Sequence, residues 1–382
     1  MKKKSPIYLY VTPFFPSEQC WRGGFSLDAV KALIADGEYD VRVMIAGCGD
    51  GYVYDGVQVN SFRRVQLPCG IMPFFTERIN RYLFRRALLR MGIDIFNVAV
   101  CHVNQILYAE YGVEVKELNP RAQIKLQHHF QCPVHLKSGR LGIIPGHATM
   151  LYFYWRRLCE LMDVHSFVGE RCRETFWKTF HSDGSLKPLQ KDLWLGSFLR
   201  EVKEPVSVIE YIQADRELFF QGEKIAHEGF VIGCAANFWP QKDHITLIKA
   251  VEWIYNKGYK NVRLRLVGSG ETREMCERYV GQKNLTNVVS FECERPHREM
   301  PYFYRELDLF VLPSRRESYS AVLSEAYECG IPILMCCGDC GFAERLPQKI
   351  KAECIIPPGD VSALADKIEA QIKSYTASHF SA

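Results

Sequence analysis

The chain has 382 residues, of which 47% are hydrophobic and 24% are charged, and its formal net charge is +4. This composition excludes a mainly disordered protein, and the length leaves room for two domains. The small net charge provides no general attraction to polyanions, so nucleic acid is not an expected partner.

The fifteen cysteines are odd in number, scattered along the chain, and include the adjacent pair Cys336-Cys337. This pattern favours reduced thiols over a disulfide framework. Prolines interrupt the apolar start of the chain and no small-residue cleavage site follows, so residues 7–12 are predicted to form a buried strand rather than part of a signal peptide. No apolar run reaches the roughly 18 to 20 residues that cross a bilayer. The expected location is the cytoplasm, with peripheral contact at the inner face of the membrane as an alternative.

Strand-like apolar runs alternate with helical patterns along the chain. In the first half, IYLYVT precedes the helical pattern SLDAVKALIADG and the strand pattern YDVRVMIAG. In the second half, helical segments separate GFVIGCAANF, VRLRLVGSG, VVSF, DLFVLPS and IPILMC. This order is typical of parallel sheets with crossover helices. It predicts an α/β protein with two doubly wound, Rossmann-like parallel-sheet domains.

The predicted domain boundary lies near residue 220, in a polar segment between two strand patterns, which gives domains 1–220 and 221–382. Ligands of open parallel sheets bind at the carboxyl ends of the strands, so a ligand is expected in the cleft between the domains. The glycine-rich region 133–155 is an irregular insertion, either a binding element or a variable surface loop.

The stretch from Glu317 to Ile333 reads ESYSAVLSEAYECGIPI. Ser318 or Ser320 can cap a helix there, and helical periodicity puts Glu325 at the margin of its apolar face. Periodicity alone therefore favours an ordinary solvated edge over a site.

The position of this stretch after a predicted strand favours a site instead. The free amides of Tyr319, Ser320 and Ala321 at the start of the helix suit a phosphate group. A carboxylate beside that anion is better suited to accept hydrogen bonds from hydroxyls, so Glu317 is expected to face a sugar.

The whole stretch resembles the Glu-x7-Glu signature of family 4 glycosyltransferases, which are retaining enzymes with the GT-B fold, and the resemblance extends over almost the full chain. The chain keeps both glutamates and the residues Ala326, Cys329, Gly330 and Pro332, whereas Ser318 and Ser320 replace the usual glycines. The resemblance implies that Glu317 binds hydroxyls of the donor sugar and Glu325 binds the nucleotide ribose.

The segment ANFWPQKDHITLIKAV is similar to a second stretch of the family. The resemblance implies that Lys242 contacts the donor diphosphate, where an ammonium offsets charge on the leaving nucleotide. Asn237 stands where the family has an arginine, and Arg315 or Arg316, just before the Glu-x7-Glu motif, is near enough in that motif to compensate.

Three glycines match further family positions at the donor site. Gly23 and Gly24 follow the first strand, where the family has a glycine pair before a helix, and Gly268 lies in a turn that borders the nucleotide. Without side chains, such loops can approach a donor or an acceptor closely.

His128 and His129 end a predicted strand where the family carries a histidine that faces the donor sugar. Neighbouring strand residues alternate sides, so only one of them can face the cleft, and the sequence does not say which. No metal and no cofactor are expected, because the chain contains no Asp-x-Asp and the single Cys337-x-x-Cys340 is weak support for zinc.

Residues 74–91 form a predicted helix with five arginines among apolar residues. Such a helix can lie on an anionic bilayer, which suits a lipid-linked acceptor, or it can pack against the domain with a solvated basic face. The two interpretations remain open.

The sequence therefore predicts a metal-independent retaining glycosyltransferase. It would transfer a sugar from a UDP- or GDP-sugar to an acceptor hydroxyl in a cell-surface glycan or glycolipid. The alternatives are a nucleotide-sugar epimerase or a phosphorylase of the same fold, and a partner subunit that binds sugar nucleotides without turnover.

Overall fold

The computed structural model describes residues 5–18, 23–47, 51–65, 73–129, 154–155, 157–180, 206–212, 214–220 and 222–380. Most of the predicted insertion at 133–155 lies outside the described residues. The chain divides into two compact units, Met1–Tyr211 and Ile212–Ala382. The division precedes residue 220 because the short helix Arg216–Phe219 packs in the second unit, where Arg216 Nε lies 3.1 Å from Glu328 Oε2.

The N-terminal unit contains an eight-stranded sheet. Its strands are β1 (Ile7–Thr12), β2 (Asp40–Ala46), β3 (Tyr52–Tyr54), β4 (Val57–Phe62), β5 (Val98–Asn104), β6 (Gln123–His128), β7 (Val164–Phe167) and β8 (Val206–Ile209). The order across the sheet is β3-β4-β2-β1-β5-β6-β7-β8. The pair β3 and β4 is antiparallel, and the other described pairs are parallel.

The helices of this unit lie between the strands, as the sequence predicts. They are α1 (Gly24–Asp36), α2 (Pro73–Arg90), α3 (Ala109–Leu118) and α4 (Glu170–Phe180). All six residues of β1 are buried, because this strand lies inside the sheet with neighbours on both sides. A continuous apolar run is typical of such a strand.

The C-terminal unit contains a five-stranded parallel sheet. Its strands are β9 (Phe230–Ala235), β10 (Val262–Val267), β11 (Val289–Glu292), β12 (Leu309–Leu312) and β13 (Ile333–Met335). Its helices are α5 (Arg216–Phe219), α6 (His244–Asn256), α7 (Arg273–Gln282), α8 (Met300–Arg305), α9 (Ala321–Glu328), α10 (Gly341–Arg345), α11 (Gln348–Cys354) and α12 (Val361–Phe380).

The strand order in this unit is β11-β10-β9-β12-β13. The chain therefore builds outward from β9 in one direction, then returns to the other side of β9 with β12. Connections from β9 and β12 leave in opposite directions, and such a switch point opens a crevice at the carboxyl ends of the two strands. The topology alone selects the loops after β9 and β12 as a ligand site.

The described cysteines are all free thiols. Among the helices in the described parts of the chain, none is both long enough and apolar enough to cross a membrane.

Among the described residues of the N-terminal unit, four histidines are buried: His102, His128, His129 and His165. Burial lowers the pKa of His129 to about 3 and the pKa of His165 to about 4. The pKa values of His102 and His128 are also held well below the usual range, mainly by burial. These imidazoles are therefore neutral at pH 7.

We predict that acidification destabilises the N-terminal unit before the C-terminal unit. Below about pH 6.5 the unfolded chain protonates these histidines while the folded unit does not, so stability falls as the pH drops towards the lowered pKa values. At pH 5 the loss is about 2 kcal/mol for each of His129 and His165. Burial raises the pKa of Glu110, which acts in the opposite direction, and burial lowers the pKa of His244 in the C-terminal unit to about 4. The four histidines of the N-terminal unit outweigh these two groups.

Hydrogen exchange at pH 7 and pH 5, corrected for intrinsic rates, measures this difference. Protection should fall more in the N-terminal unit, and a His165→Gln variant should show a weaker pH dependence because glutamine does not titrate. Equal loss of protection in the two units would contradict the prediction.

Candidate functional site

The loops after β9 and β12 meet at the carboxyl edge of the C-terminal sheet. Strands β9 and β12 are hydrogen-bonded neighbours, so the segments that follow them begin side by side. The backbone N–H of Arg315 donates to the carbonyl oxygen of Gln241 at 2.8 Å, which joins the two loops directly. Each loop carries one of the predicted site residues, Lys242 and Glu317.

Lys242 and Glu317 form an ion pair across this junction. Lys242 Nζ donates to Glu317 Oε1 at 2.5 Å, and the two side chains are only 19% and 11% exposed. A charge-assisted hydrogen bond in a partly desolvated place is stronger than one in open solvent. The structure thus brings together the cation and the carboxylate that the sequence assigned to the same donor.

The start of α9 presents unpartnered hydrogen-bond donors. Among the described residues, nothing accepts a hydrogen bond from the amides of Tyr319, Ser320 and Ala321. Ser320 caps the helix in the left-handed region, at φ 81° and ψ 84°, where glycine is the usual residue. Its Oγ is buried and has no partner among the described residues. Amides and a hydroxyl in this arrangement suit an anion.

Asn237 and Gly268 lie together beside this junction. A Cβ on Gly268 would lie 2.2 Å from the carbonyl oxygen of Ala236 and 3.6 Å from the amide nitrogen of Asn237, and the glycine has a φ of 143°. The turns after β9 and β10 are therefore in direct contact, and only glycine permits the approach.

The two arginines that could compensate for Asn237 differ in their contacts. Arg315 Nε lies 2.8 Å from Asp243 Oδ2, so its guanidinium is engaged. Arg316 is exposed and makes no ion pair with a described residue. Arg316 is therefore the more available cation of the pair.

Glu325 is not on a solvated edge, which corrects the interpretation from periodicity alone. It is 6% exposed, its Oε2 accepts a hydrogen bond from the Tyr304 hydroxyl at 2.7 Å, and its Oε1 lies 3.9 Å from His297 Nδ1. Helical periodicity cannot reveal this, because both partners come from the segment 297–305, outside α9. A role for Glu325 in binding ribose stays a prediction.

Thiols lie beneath the loop that carries Glu317. Cys337 Sγ accepts a hydrogen bond from the backbone amide of Glu317 at 3.2 Å, and the amide of Gly341 donates to the carbonyl oxygen of Ser318 at 2.8 Å. The segment after β13 thus holds the loop in place, a function that the CxxC spacing did not suggest. Among the described residues, no three His, Cys, Asp or Glu side chains are grouped as metal ligands.

In the N-terminal unit, the glycine pair and one of the two histidines are close together. Gly23 has a φ of 90°, and a Cβ there would lie 2.6 Å from the carbonyl oxygen of Phe14. The ring of Phe25, next to Gly24, lies 4.9 Å from the ring of His129. His129 Nε2 has no partner among the described residues. The structure therefore distinguishes the two histidines by their surroundings.

His128 instead packs inside the unit. Its Nε2 lies 2.8 Å from His165 Nδ1, and its ring stacks on Phe167 at 4.6 Å. The aromatic ring and a ring nitrogen of His128 are thus engaged by the interior of the unit. The neighbouring His129 is the better candidate for contact with a ligand.

A buried polar network supports the glycine pair and was not found from the sequence. Asn104 Nδ2 donates to the Tyr10 hydroxyl at 2.7 Å and to Ser26 Oγ at 3.1 Å. Asn104 ends β5, Tyr10 lies in β1, and Ser26 lies in the first turn of α1. Strands β1 and β5 are the neighbours at which the strand order of the N-terminal sheet reverses. The sequence VAVCHVN offered a signal for Asn104, namely a polar residue at the end of a mainly apolar run.

Comparisons with known proteins agree with these features. Residues 215–379 match the model of the family described as glycosyl transferases group 1. The capsular polysaccharide biosynthesis glycosyltransferase CapM of Staphylococcus aureus is 30% identical over 151 residues, which are 38% of this chain and 37% of that protein. The chain spans between 27% and 37% of the length of the curated relatives that it matches.

Solved structures match over nearly the whole chain. A sucrose-phosphate synthase from Thermosynechococcus elongatus matches with a TM-score of 0.70 and 17% identity, over 97% of this chain and 90% of that one. Anabaena Alr3699/HepE, in complex with UDP and glucose, matches with a TM-score of 0.65 and 16% identity, again over 97% and 90%. The chain therefore has the GT-B fold that the sequence predicts, and its residues 215–379 match the model of the glycosyl transferases group 1 family.

Proposed function

We propose that this chain transfers a sugar from a UDP- or GDP-sugar to an acceptor hydroxyl, without a metal ion and with retention at the anomeric carbon. The observation that carries the proposal is the Lys242–Glu317 ion pair beside the free amides at the start of α9. A donor brings an anionic diphosphate and a hydroxyl-rich sugar, and these loops offer a cation and amides for the first and a carboxylate for the second.

Before a donor binds, Lys242 and Glu317 neutralise each other's charge. When the donor binds, its diphosphate takes over the Lys242 ammonium, and Glu317 is released to accept hydrogen bonds from sugar hydroxyls. Asn237, Gly268 and Ser318 border the same junction, so we assign them to the donor site as well. Lys242 thus exchanges a carboxylate for a phosphate, and Glu317 exchanges an ammonium for hydroxyl donors, so neither charge is left without a polar partner.

In the transfer step, the bond from the anomeric carbon to the diphosphate oxygen breaks while a bond to the acceptor oxygen forms on the same face. Because the acceptor attacks directly on that face, no side chain acts as a nucleophile, and because the acceptor proton passes to the departing diphosphate oxygen, no side chain acts as a base. Lys242 and the amides of Tyr319, Ser320 and Ala321 stabilise the negative charge that develops on the diphosphate. Glu325 binds the ribose by exchanging its bond with Tyr304.

In the N-terminal unit, we assign Gly23, Gly24 and His129 to the donor or acceptor, and His128 to the support of His129. The acceptor is a glycan or lipid-linked glycan in cell-surface polysaccharide synthesis, an assignment supported by the relative that acts in capsular polysaccharide biosynthesis. The complex of Anabaena HepE with UDP and glucose supports a nucleotide-sugar donor. The proposed location is the cytoplasm.

We further propose that α2 contacts the inner face of the membrane. Its buried face packs on the unit through Phe84, Ala87 and Leu88. Two of its arginines are engaged by α3, since Arg81 Nε and Arg85 Nε lie 2.7 and 2.5 Å from the Glu114 carboxylate.

The opposite face of α2 supports the membrane contact. Ile79, Tyr82 and Leu89 on that face are 50%, 56% and 73% exposed, and Arg78 and Arg86 beside them make no ion pair with a described residue. An exposed apolar stripe with basic neighbours is typical of a helix that lies in the surface of an anionic bilayer.

The first prediction separates the roles of the two ion-pair partners. Lys242→Gln should weaken binding of the preferred nucleoside diphosphate, UDP or GDP, about tenfold, because a charge-assisted contact contributes about 1.5 to 3 kcal/mol. Glu317→Gln should instead strengthen binding a few-fold, because Lys242 loses its competing carboxylate, while transfer falls by at least about a hundredfold.

Isothermal titration calorimetry and release of nucleoside diphosphate from UDP- and GDP-sugars measure the two effects. Glu328→Gln, at the end of the helix that follows Glu317 and paired with Arg216, is the matched control and should change neither. Equal weakening of binding by both site variants would contradict these roles. A product still attached to its nucleotide would indicate epimerisation, and binding without turnover would indicate a partner subunit.

The second prediction concerns the membrane contact. The protein should co-sediment with vesicles that contain phosphatidylglycerol, less so at high salt, and replacing both Ile79 and Leu89 by Gln should reduce the bound fraction several-fold. Phe96→Gln is the control, since Phe96 is 79% exposed but lies outside α2. Unchanged sedimentation of the double variant would contradict a role for this face.

A further inference from the structure

We propose that Arg315 and Asp243 are a positioning pair that keeps the Lys242 ammonium in place when Glu317 releases it to the donor. The inference rests on the proposed function and deepens it. Arg315 Nε donates to Asp243 Oδ2 at 2.8 Å. The Asp243 side chain is 4% exposed and the Arg315 side chain is 59% exposed, so the pair closes the junction from its outer side.

Asp243 does not use its side chain as an aspartate at a helix start usually does. Its backbone is left-handed, with φ 51° and ψ 40°, a region that aspartate and asparagine adopt more readily than other residues with a side chain. Aspartate caps helices well, yet the Asp243 side chain makes no capping hydrogen bond at the start of α6. Its carboxylate accepts a hydrogen bond from Arg315 instead. The interaction with Arg315 therefore takes the place of a helix cap.

The interaction between Arg315 and Asp243 lies next to the Lys242–Glu317 pair in both loops. Lys242 immediately precedes Asp243, and Glu317 follows Arg315 by two residues. The loops after β9 and β12 are thus joined by two ion pairs of opposite polarity, Lys242–Glu317 and Arg315–Asp243, with one backbone bond from Arg315 to Gln241 between them.

The two ion pairs have different fates when a donor binds. The Lys242–Glu317 pair must open, because both of its members contact the donor. The Arg315–Asp243 pair involves neither of those groups and can remain closed. It then holds the turn Pro240–Lys242 against the loop that carries Glu317 while the ammonium moves from carboxylate to phosphate. A preformed position for Lys242 lowers the entropic cost of binding the diphosphate.

The test is a set of variants in two backgrounds. Arg315→Gln and Asp243→Asn each remove the ion pair, and asparagine tolerates the left-handed backbone, so the fold is retained. Affinity for the preferred nucleoside diphosphate, UDP or GDP, is measured by calorimetry in the wild type and in the Glu317→Gln background. Melting temperatures are recorded in parallel. Arg278→Gln, an exposed arginine on α7, is the control for the change in net charge.

We expect each single variant to weaken binding about threefold in the wild type and about tenfold or more in the Glu317→Gln background, where Lys242 has lost its other anchor. The double variant Asp243→Asn/Arg315→Gln should bind no worse than either single variant, because both remove the same contact. A merely stabilising pair would lower the melting temperature equally in both backgrounds and leave the ratio of affinities unchanged.

Two results would overturn the inference. If the wild type binds a nucleoside diphosphate and the variants bind it within twofold in both backgrounds, the positioning role is wrong while the proposed function stands. If the wild type binds neither UDP nor GDP, the proposed function is wrong and the positioning role with it.

Discussion

The ion pair between Lys242 and Glu317 joins residues that are 75 positions apart in the chain, and it exists only because β9 and β12 are neighbours in the sheet. The strand order brings the two loops together, and the Lys242 ammonium then contacts the Glu317 carboxylate in a partly desolvated place. The free amides at Ser320, the glycine turn at Gly268 and the thiol beneath Glu317 are all arranged around this contact. In the chemistry that we propose, this ion pair opens, Lys242 binds the diphosphate of the donor, and Glu317 binds the hydroxyls of its sugar.

Much of the fold follows from patterns that are local in the sequence. The apolar runs at 7–12 and 230–235 form strands that are buried on both faces of parallel sheets, and continuous apolar runs are typical of such strands. The helix after Ser320 begins where the small residues permit a left-handed cap and ends before Gly330. The order of these elements was enough to predict the fold class.

The site was less accessible from the sequence, for physical reasons. Alternation in a strand predicts that His128 and His129 diverge, but only the packing of His165 against His128 decides which of them is used internally. Glu325 looked solvated because its partners, Tyr304 and His297, belong to distant elements. Long-range contacts of this kind leave no periodic signal. The resemblance to a family implied roles for these residues, and the contacts in the structure show which atoms a test of those roles should address.

The central claim is that the loops after β9 and β12 receive a nucleoside diphosphate. Hydrogen exchange at the amides of Tyr319, Ser320 and Ala321, with and without saturating UDP or GDP, tests it most directly, because nothing among the described residues accepts from them. The account predicts that exchange at these amides slows when the nucleotide binds. Unchanged exchange there, with slowing confined to other parts of the chain, would contradict it.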